Sequence, residues 1–412
     1  MIARGTVLSA GNGLLAARLP AAAVGDAVRI CSPRGEVAGV IAALKHEHAL
    51  IAVHDVLDGI SEGDTVWCDP AALTMPLGTV MLGRAIDARG TPLDEGPRLR
   101  GRAKSLGVQA PPPSQRRAIE TPFWTGIRAI DALLTIGRGA RIGLFGPPGC
   151  GKSTLLHWLM KGAYADAVVV GLVGERGREA EEWMRLCPRH ASIVCATSDR
   201  SAAQRVHAAR VAVAQADELR SRGLHVLLIL DSLARFAAAL REVALASGES
   251  VGRGGYPPSV FADLARLVEV PGNALRGSIT LVATVLWDGD DRDPVSEAAR
   301  ALLDGHIALS PKLANAGRFP AIDLLGSTSR TMSQVVDESH EGDARLVRRA
   351  IASLAQTEDA RSLGITPGDP FTLRATSAED RIEALVRQHK PAVRPAESLS
   401  ALAVLADTLG DS

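Results

Sequence analysis

A glycine-rich segment, GPPGCGKST, has the residue types and spacing of a phosphate-binding loop. It consists of Gly146, Pro147, Pro148, Gly149, Cys150, Gly151, Lys152, Ser153 and Thr154. The segment fits G-x-x-x-x-G-K-[ST], follows the apolar run RIGLF and precedes the helical pattern TLLHWLM, which is the context that this motif requires. Loop N–H groups and a helix N-terminus together bind phosphate oxygens. We therefore predict a nucleotide site, against the alternative of a Gly/Pro turn with a surface lysine.

Two side chains of this segment have separate predicted roles. The ammonium group of Lys152 would pair with the β- and γ-phosphates of ATP, and the hydroxyl of Ser153 would complete the shell of Mg²⁺. The chain contains 40 Arg and only six Lys, so a lysine at this position does not follow from composition.

Hydrolysis also needs a second carboxylate near Mg²⁺, a group that orients water and positive charge for the transition state. Asp231 ends the apolar run HVLLILD, and ligands of α/β sheets bind at the carboxyl ends of the strands. Its alternative role is to cap a helix that starts at Ser232. Glu175 and Arg176 follow another buried run, in VGERGRE. Glu175 is predicted to polarise the water and Arg176 to hold Glu175 or the γ-phosphate, although a surface ion pair explains them equally well.

The elements that position these residues are indicated by the apolar pattern. From Arg141 onward, β-branched runs recur and are mostly separated by helix-length segments, which predicts a parallel sheet with helices on both faces. The first part of the chain has short runs broken by Gly, Asp and Asn, typical of a small β-barrel or sandwich. Near the end the spacing is helical, and one helix is predicted to open with a capping-box-like Ser377 and Asp380.

These patterns divide the chain into three predicted domains. They are an N-terminal β-barrel at 1–70, a nucleotide-binding domain at 71–335 and a helical domain at 336–412. A segment rich in Pro, Arg and Gly at 86–122 is predicted to run over the surface as a connection.

Composition excludes several classes of protein. Lys plus Arg equals Asp plus Glu at 46 each, so no global charge attracts nucleic acid or membrane. Five scattered cysteines without a CxxC pair fit a reducing compartment. No signal-type segment and no long apolar run are present. We therefore expect a cytoplasmic protein.

Several longer segments resemble the type III secretion system ATPases. They are GERGREAEEW, LILDSLARFAAALREVALASGE, GGYPPSVFADLARLVE, DGHIALSPKLANAGRFPAIDLLGSTSR and the P-loop. The flagellar export ATPases are similar, and the catalytic subunits of rotary F- and V-type ATPases are more distant. The resemblance spans roughly 1–390. It implies an α/β fold, namely a RecA-like P-loop NTPase core with an N-terminal β-barrel and a C-terminal α-helical domain, assembled as a homohexamer.

The resemblance also implies roles for single residues. It makes Glu175 the group that activates water, Asp231 the second group near Mg²⁺, and Arg330 of GSTSRTM an arginine finger that reaches a neighbour's site. Without the family pattern, Arg330 is equally a solvated charge. Because one chain carries both Glu175 and Arg330, every interface of a homohexamer is expected to be catalytic. Phe319 matches a position that packs on adenine, or else it is an ordinary core residue.

Three further expectations concern loops. The segment Gly254–Ala262 resembles a loop that lines the central pore and contacts a stalk, with its Pro-Pro pair stiff and extended; a buried turn is the alternative. GITPG, Gly364–Gly368, stands where relatives commonly have AYQPG, and it lacks the Tyr and Gln that are often found near the adenine base. Cys150 is expected either to block nucleotide binding when alkylated or to be an inert small side chain.

The family's partners are central and peripheral stalk proteins, export chaperones and secreted substrates. Its place is the inner face of the bacterial inner membrane, with membrane contact only through the export apparatus. Relatives usually carry an extra N-terminal segment for the peripheral stalk, whereas here the first barrel strand begins almost at once, which leaves that docking open.

Flagellar protein export is the nearest alternative function. A hexameric RNA translocase is disfavoured, because 1–70 contains one Trp, no Phe or Tyr, and five Lys/Arg against eight Asp/Glu. No nucleic-acid partner is therefore expected. A regulatory ring subunit without activity would not need the P-loop, Glu175, Asp231 and Arg330 together.

Overall fold

The computed structural model describes residues 3–11, 13–46, 48–55, 57–287, 293–365 and 368–410. Within these ranges no helix combines the length and the apolar character that a membrane crossing requires.

The N-terminal part forms a closed barrel of six antiparallel strands. These are β1 (Arg4–Gly11), β2 (Leu14–Arg18), β3 (Ala27–Ser32), β4 (Gly35–Lys45), β5 (His48–Val53) and β6 (Thr65–Cys68). Their order is β1-β2-β5-β4-β3-β6, and β6 pairs back onto β1. Alternate side chains such as Leu15, Ile30 and Ile51 fill the interior and are fully buried. The predicted barrel is confirmed.

The next part supplies thirteen strands and nine α-helices among the described residues. The strands are β7 (Thr74–Pro76), β8 (Arg84–Asp87), β9 (Ala103–Ser105), β10 (Pro122–Phe123), β11 (Ile136–Gly137), β12 (Arg141–Gly146), β13 (Ala167–Glu175), β14 (Ala191–Thr197), β15 (His225–Asp231), β16 (Gly272–Asn273), β17 (Ser278–Leu286), β18 (Gly305–Leu309) and β19 (Ile322–Ser329). The helices are α1 (Arg128–Leu133), α2 (Lys152–Gly162), α3 (Gly177–Leu186), α4 (Ala202–Ser221), α5 (Leu233–Ala246), α6 (Pro258–Glu269), α7 (Pro294–Leu302), α8 (Pro311–Asn315) and α9 (Met332–Val335).

The central sheet has nine strands, eight of them in the order β19-β18-β12-β17-β15-β13-β14-β8, while β16 pairs with β17. The strands from β18 to β8 are parallel, and β19 and β16 are antiparallel to their neighbours. Every residue of β13 and β15 is buried, because apolar cores cover both faces of the sheet. The predicted sheet with helices on both faces is confirmed.

The C-terminal part is helical, as predicted. Its helices are α10 (Glu338–Gln356), α11 (Glu358–Ser362), α12 (Pro370–Ser377), α13 (Glu379–Val386) and α14 (Pro395–Leu409). The predicted capping box is wrong. Ser377 is the last residue of α12 and its hydroxyl donates to the carbonyl of Leu373, whereas α13 has no side-chain cap. A serine inside a helix readily bonds the carbonyl four residues back, and here that bond replaces the cap.

Two other sequence expectations differ from the structure. The connection predicted at 86–122 begins inside β8, whose Ile86 is fully buried. The Pro-Pro pair of the predicted pore loop is extended only at Pro257, with φ at −59° and ψ at 148°, because Pro258 is already the first residue of α6. Proline fits the first turn of a helix, where its missing N–H is not needed. The limits of the three domains remain a prediction.

The barrel meets the core at a pair of stacked imidazole rings. His54 follows β5 and His207 lies on α4, with ring centroids 3.8 Å apart and planes inclined by 16°. Both side chains are buried. Burial, together with the charge of Arg210, lowers the pKa of His207 to about 3. Burial also lowers the pKa of His54, so this contact of the joint is made by two neutral rings.

Candidate nucleotide site

The P-loop connects β12 to α2 in the predicted manner. Gly149 and Gly151 have φ values of 85° and 81°, in the left-handed region that favours glycine. Gly151 is the N-cap of α2 and offers no side-chain hydrogen bond, so the first N–H groups of the helix remain available for an anion. Ser153 and Thr154 follow and are exposed. Both hydroxyl-bearing residues are therefore accessible to solvent in the first turn of α2.

Lys152 lies folded onto the start of this loop. Its Nζ donates to the carbonyl oxygens of Gly146 at 2.6 Å and Pro147 at 2.7 Å. Burial lowers the pKa of Lys152, and the negative charge of Asp231 opposes that shift. The ammonium group is thus within reach of both the loop and the end of β15.

Asp231 lies at the carboxyl end of β15, as predicted. Its side chain is buried and accepts a hydrogen bond of 2.5 Å from the hydroxyl of Thr284 on β17. Burial raises the pKa of Asp231, while Thr284 and Lys152 lower it. The alternative role as a helix cap is not what the structure shows, because the hydroxyl of Ser232 accepts from the N–H of Arg235 instead.

Glu175 ends β13 and is buried, but its ionic partner is not the predicted one. It forms an ion pair with Arg235 of α5. Arg176 is exposed at the start of α3, and among the described residues no ion pair joins it to Glu175. Gly174, with φ at 72°, makes a bulge just before Glu175, and a Cβ there would lie 3.3 Å from Cδ of Arg235. Glycine therefore leaves room for the arginine.

The oxygen donors fit a magnesium ion. Mg²⁺ commonly uses one or two protein oxygens together with phosphate oxygens and water. The hydroxyl of Ser153 and the carboxylate of Asp231 are hard donors of this kind, and they project from α2 and β15 at the same edge of the sheet. The donor set matches the predicted cofactor.

An apolar cavity opens beside the P-loop. It is lined by Cys150, Gly151, Thr154, Leu155, Trp158, Leu309, Phe319, Pro320 and Ala321. The ring of Phe319 is 42% exposed and lies 3.6 Å from the position of a Cβ on Gly151. A half-exposed aromatic face next to a phosphate-binding loop suits the stacking of a base.

Cys150 is only 3% exposed, with its side chain in the core beneath the loop. Alkylation requires an accessible thiolate, so this burial favours the inert small side chain over the reactive one. Of the GITPG loop, Thr366 and Pro367 lie outside the described residues. Ile365 is exposed and does not line the cavity of Phe319.

Arg330 lies at the amino ends of the parallel strands, whereas the P-loop lies at their carboxyl ends. It follows β19, where Ser329 pairs with Gly305, and Gly305 pairs with Ile142 near the start of β12. The P-loop starts at Gly146, four residues further along β12, which corresponds to about 13 Å. The side chain of Arg330 is exposed. The structure therefore does not bring Arg330 to the phosphate site of its own chain.

Three residues of the site were missed by sequence reasoning, namely Arg235, Thr284 and Trp158. Thr284 had a signal, since it is a polar residue near the end of the apolar run SITLVATV. Trp158 is four residues after Thr154 and therefore shares its face of α2. Arg235 had none, because its contact with Glu175 depends on how α5 packs on β13.

Comparisons with known proteins identify the family of this chain. Residues 126–329 match the ATP synthase alpha/beta family, nucleotide-binding domain. The Type 3 secretion system ATPase of Sinorhizobium fredii is 42% identical over 407 residues, which cover 95% of this chain and 89% of the relative. The Flagellum-specific ATP synthase of Salmonella typhimurium is 44% identical over 326 residues, 76% of this chain and 71% of the relative.

A solved structure agrees over almost the whole chain. The assembled ATPase EscN of the enteropathogenic E. coli type III secretion system has a TM-score of 0.90 and 36% identity, covering 98% of this chain and 100% of EscN. The barrel, the sheet and the C-terminal helices thus occur together in a solved relative. This chain is a P-loop ATPase and belongs to the family of the type 3 secretion system ATPases and the flagellum-specific ATP synthases.

Proposed function

We propose that this ATPase works as a ring of identical copies, a homohexamer, that energises type III protein secretion. The observation that carries the proposal is the separation of Arg330 from the P-loop of its own chain. Glu175 and Asp231 end β13 and β15, and Lys152 starts the helix that follows β12, so all three lie at the carboxyl ends of the parallel strands. The cation expected to complete the site lies at the opposite ends of these strands. A neighbouring copy supplies that cation.

Each residue then has a chemical role. The P-loop and Lys152 hold the phosphates, Ser153 and Asp231 hold Mg²⁺, and Phe319 packs on the adenine. The carboxylate of Glu175, held by Arg235, orients the attacking water. Arg330 of the next copy compensates the charge that develops on the γ-phosphate, a contribution of roughly 10³–10⁵ in rate for such fingers. Arg176, exposed next to Glu175, is kept as a further cation for the phosphate.

One proposed partner, a central stalk, is supported by a solved relative. EscN has also been solved in complex with its central stalk EscO, with a TM-score of 0.88 to this chain. This supports a central stalk, with the loop at Gly254–Ala262 as its contact. We further propose a peripheral stalk, export chaperones and secreted substrates as partners, at the inner face of the bacterial inner membrane. Release of substrates from chaperones is the proposed use of the energy.

Flagellar export is the second candidate, because the flagellum-specific relative is as similar in identity. The relative from a secretion system matches a larger share of this chain, 95% against 76%, which favours secretion.

The ring is tested by measuring ATP hydrolysis per chain against protein concentration. We expect the rate per chain to rise steeply as copies assemble, and to stay low throughout in an Arg330→Ala variant that still binds nucleotide. A rate per chain that does not change with concentration contradicts the ring.

The use of the energy is tested by capture. A Glu175→Gln variant locked with ATP is purified from its native cells, and the proteins that remain bound are identified. Secretion-system stalk and chaperone proteins support the proposal, whereas flagellar export proteins move the assignment to the second candidate. Recovery of RNA contradicts both.

A further inference from the structure

Behind the P-loop, the guanidinium group of Arg300 lies between two aromatic rings. Its Cζ is 5.1 Å from the ring centroid of Phe145 and 4.9 Å from that of Trp287. Both distances are within the range of a cation–π contact. Arg300 belongs to α7, whereas Phe145 is on β12 and Trp287 directly follows β17.

The two rings mark the ends of neighbouring strands. β12 and β17 are paired in parallel as far as Gly146 and Leu286. Phe145 immediately precedes the P-loop. Trp287 follows a strand that also carries Thr284, the residue that holds Asp231. A contact that joins both rings therefore joins the P-loop to the strand behind the magnesium carboxylate.

The position of the Phe145 ring is closely defined. The ring is fully buried and lies over Gly143, where a Cβ would be only 2.3 Å from its Cε2. His306 contacts the same ring edge-on, with centroids 5.9 Å apart. The backbone of Trp287 is also tied to the loop, since its N–H donates to the carbonyl of Gly146 at 3.5 Å, and Lys152 donates to the same oxygen.

α7 is also attached by contacts other than those of the arginine head group. Asp293 caps this helix by accepting from the N–H of Ser296 at 2.8 Å. Val295 and Ala299 are buried against the sheet. Removal of the guanidinium group therefore leaves the apolar packing of α7 in place.

We propose that Arg300 is a positioning residue for the nucleotide, holding the start of the P-loop in register with the end of β17. The stack aligns Lys152 and Asp231 so that phosphates and Mg²⁺ meet both at once. The inference rests on the proposed use of the P-loop as the ATP site. A planar guanidinium group stacks on two rings, whereas a lysine ammonium group is a compact point charge that does not replace it.

The test is the dissociation constant for MgADP, measured by calorimetry on the full chain, together with the thermal unfolding midpoint without nucleotide. We expect Arg300→Gln to weaken MgADP binding about tenfold, since two cation–π contacts are lost. The dissociation constant of Arg300→Lys for MgADP is expected to lie between those of the wild type and Arg300→Gln. Trp287→Ala should weaken binding like Arg300→Gln, and Trp287→Phe, which keeps a ring face, should remain within about twofold of the wild type.

Arg276→Ala is the matched control, because this arginine is exposed in the turn before β17, the strand that Trp287 follows. It should bind MgADP like the wild type. A lower unfolding midpoint with unchanged MgADP affinity in Arg300→Gln and Trp287→Ala would show that the stack supports only the fold, and would overturn the proposal. If the wild-type chain itself does not bind MgADP, the nucleotide site fails first. Should Arg300→Gln not fold, Arg300→Lys and the two Trp287 variants decide the question.

Discussion

The hydroxyl of Thr284 donates a hydrogen bond of 2.5 Å to Oδ1 of Asp231, joining β17 to β15 at the carboxyl edge of the sheet. Both side chains are buried. A buried carboxylate is costly unless it is hydrogen-bonded or paired, and here the hydroxyl and the charge of Lys152 supply that compensation. Thr284 thus helps to keep Asp231 in the charged form that a metal requires.

We predict that Thr284→Val impairs the use of Mg²⁺. Burial raises the pKa of Asp231, and loss of the donated hydrogen bond raises it further, so more of the carboxyl group is protonated at neutral pH. The Mg²⁺ concentration for half-maximal hydrolysis should rise about tenfold, since a hydrogen bond to a charged group contributes about 1.5–3 kcal/mol. Raising the pH should recover part of the loss. Thr284→Ser keeps the hydroxyl and serves as control, and equal Mg²⁺ requirements in all three proteins would refute the role.

Complementation between two inactive variants is the second prediction. Lys152→Ala lacks its own phosphate site but retains Arg330, whereas Arg330→Ala has an intact phosphate site without a finger to offer. Each alone should be inactive, and their mixture should regain activity at the interfaces where Lys152→Ala donates Arg330 to an Arg330→Ala neighbour. The rate is measured against the mixing ratio. A mixture as inactive as its components would contradict the role of Arg330 as a finger supplied by a neighbouring copy.

Removal of the aromatic ring at Phe319 should weaken ATP binding selectively. Stacking on a base contributes about 1–3 kcal/mol, so Phe319→Ala is expected to raise KM by about tenfold with a smaller change in kcat. Phe319→Tyr keeps the ring and should behave like the wild type. Tripolyphosphate has no base, so its affinity for the ATP site should be the same in the wild type, Phe319→Ala and Phe319→Tyr. An unchanged KM in Phe319→Ala would mean that this ring only completes the apolar wall.

The barrel joint should make folding sensitive to acid. His207 has a pKa of about 3 in the folded chain against an ordinary value of 6.5, so the unfolded chain binds a proton that the folded chain does not. The contribution of the neutral His207 ring to the free energy of unfolding is therefore fully present above pH 6.5. Below that pH it decreases by about 1.4 kcal/mol per pH unit. His207→Phe should flatten the decrease, as judged from urea unfolding between pH 7.5 and 5. The exposed His389→Phe provides the comparison, and equal slopes in both variants would contradict the assignment.

The sequence predicted the P-loop and Asp231 because their positions depend on local structure. A strand followed by a glycine-rich turn and a helix forms the phosphate site from consecutive residues, and a carboxylate that ends a parallel strand must lie at the same edge. The barrel and the sheet followed from the apolar periodicity. These features could be predicted without knowing how the helices pack on the sheet.

The partner of Glu175 could not be read in the same way. Arg176 is adjacent in sequence, but it lies outside the buried strand and remains exposed at the start of α3. Arg235 reaches Glu175 from a helix that follows a different strand, so this pair depends on tertiary packing. The capping box predicted at Ser377 was wrong for a related reason. The pattern of a cap was present, but α12 already continued through that residue.

The placement of Arg330 and the P-loop at opposite edges of the sheet gives the subunit a direction. The contact we propose, in which one copy offers Arg330 and the next offers its phosphate loop, is head-to-tail, and it is not satisfied reciprocally within a pair. An open arc of copies therefore always leaves one phosphate loop without a finger at one end and one finger without a target at the other. In the proposed assembly only a closed circle leaves no such ends, so closure itself would be the step that brings every copy into use.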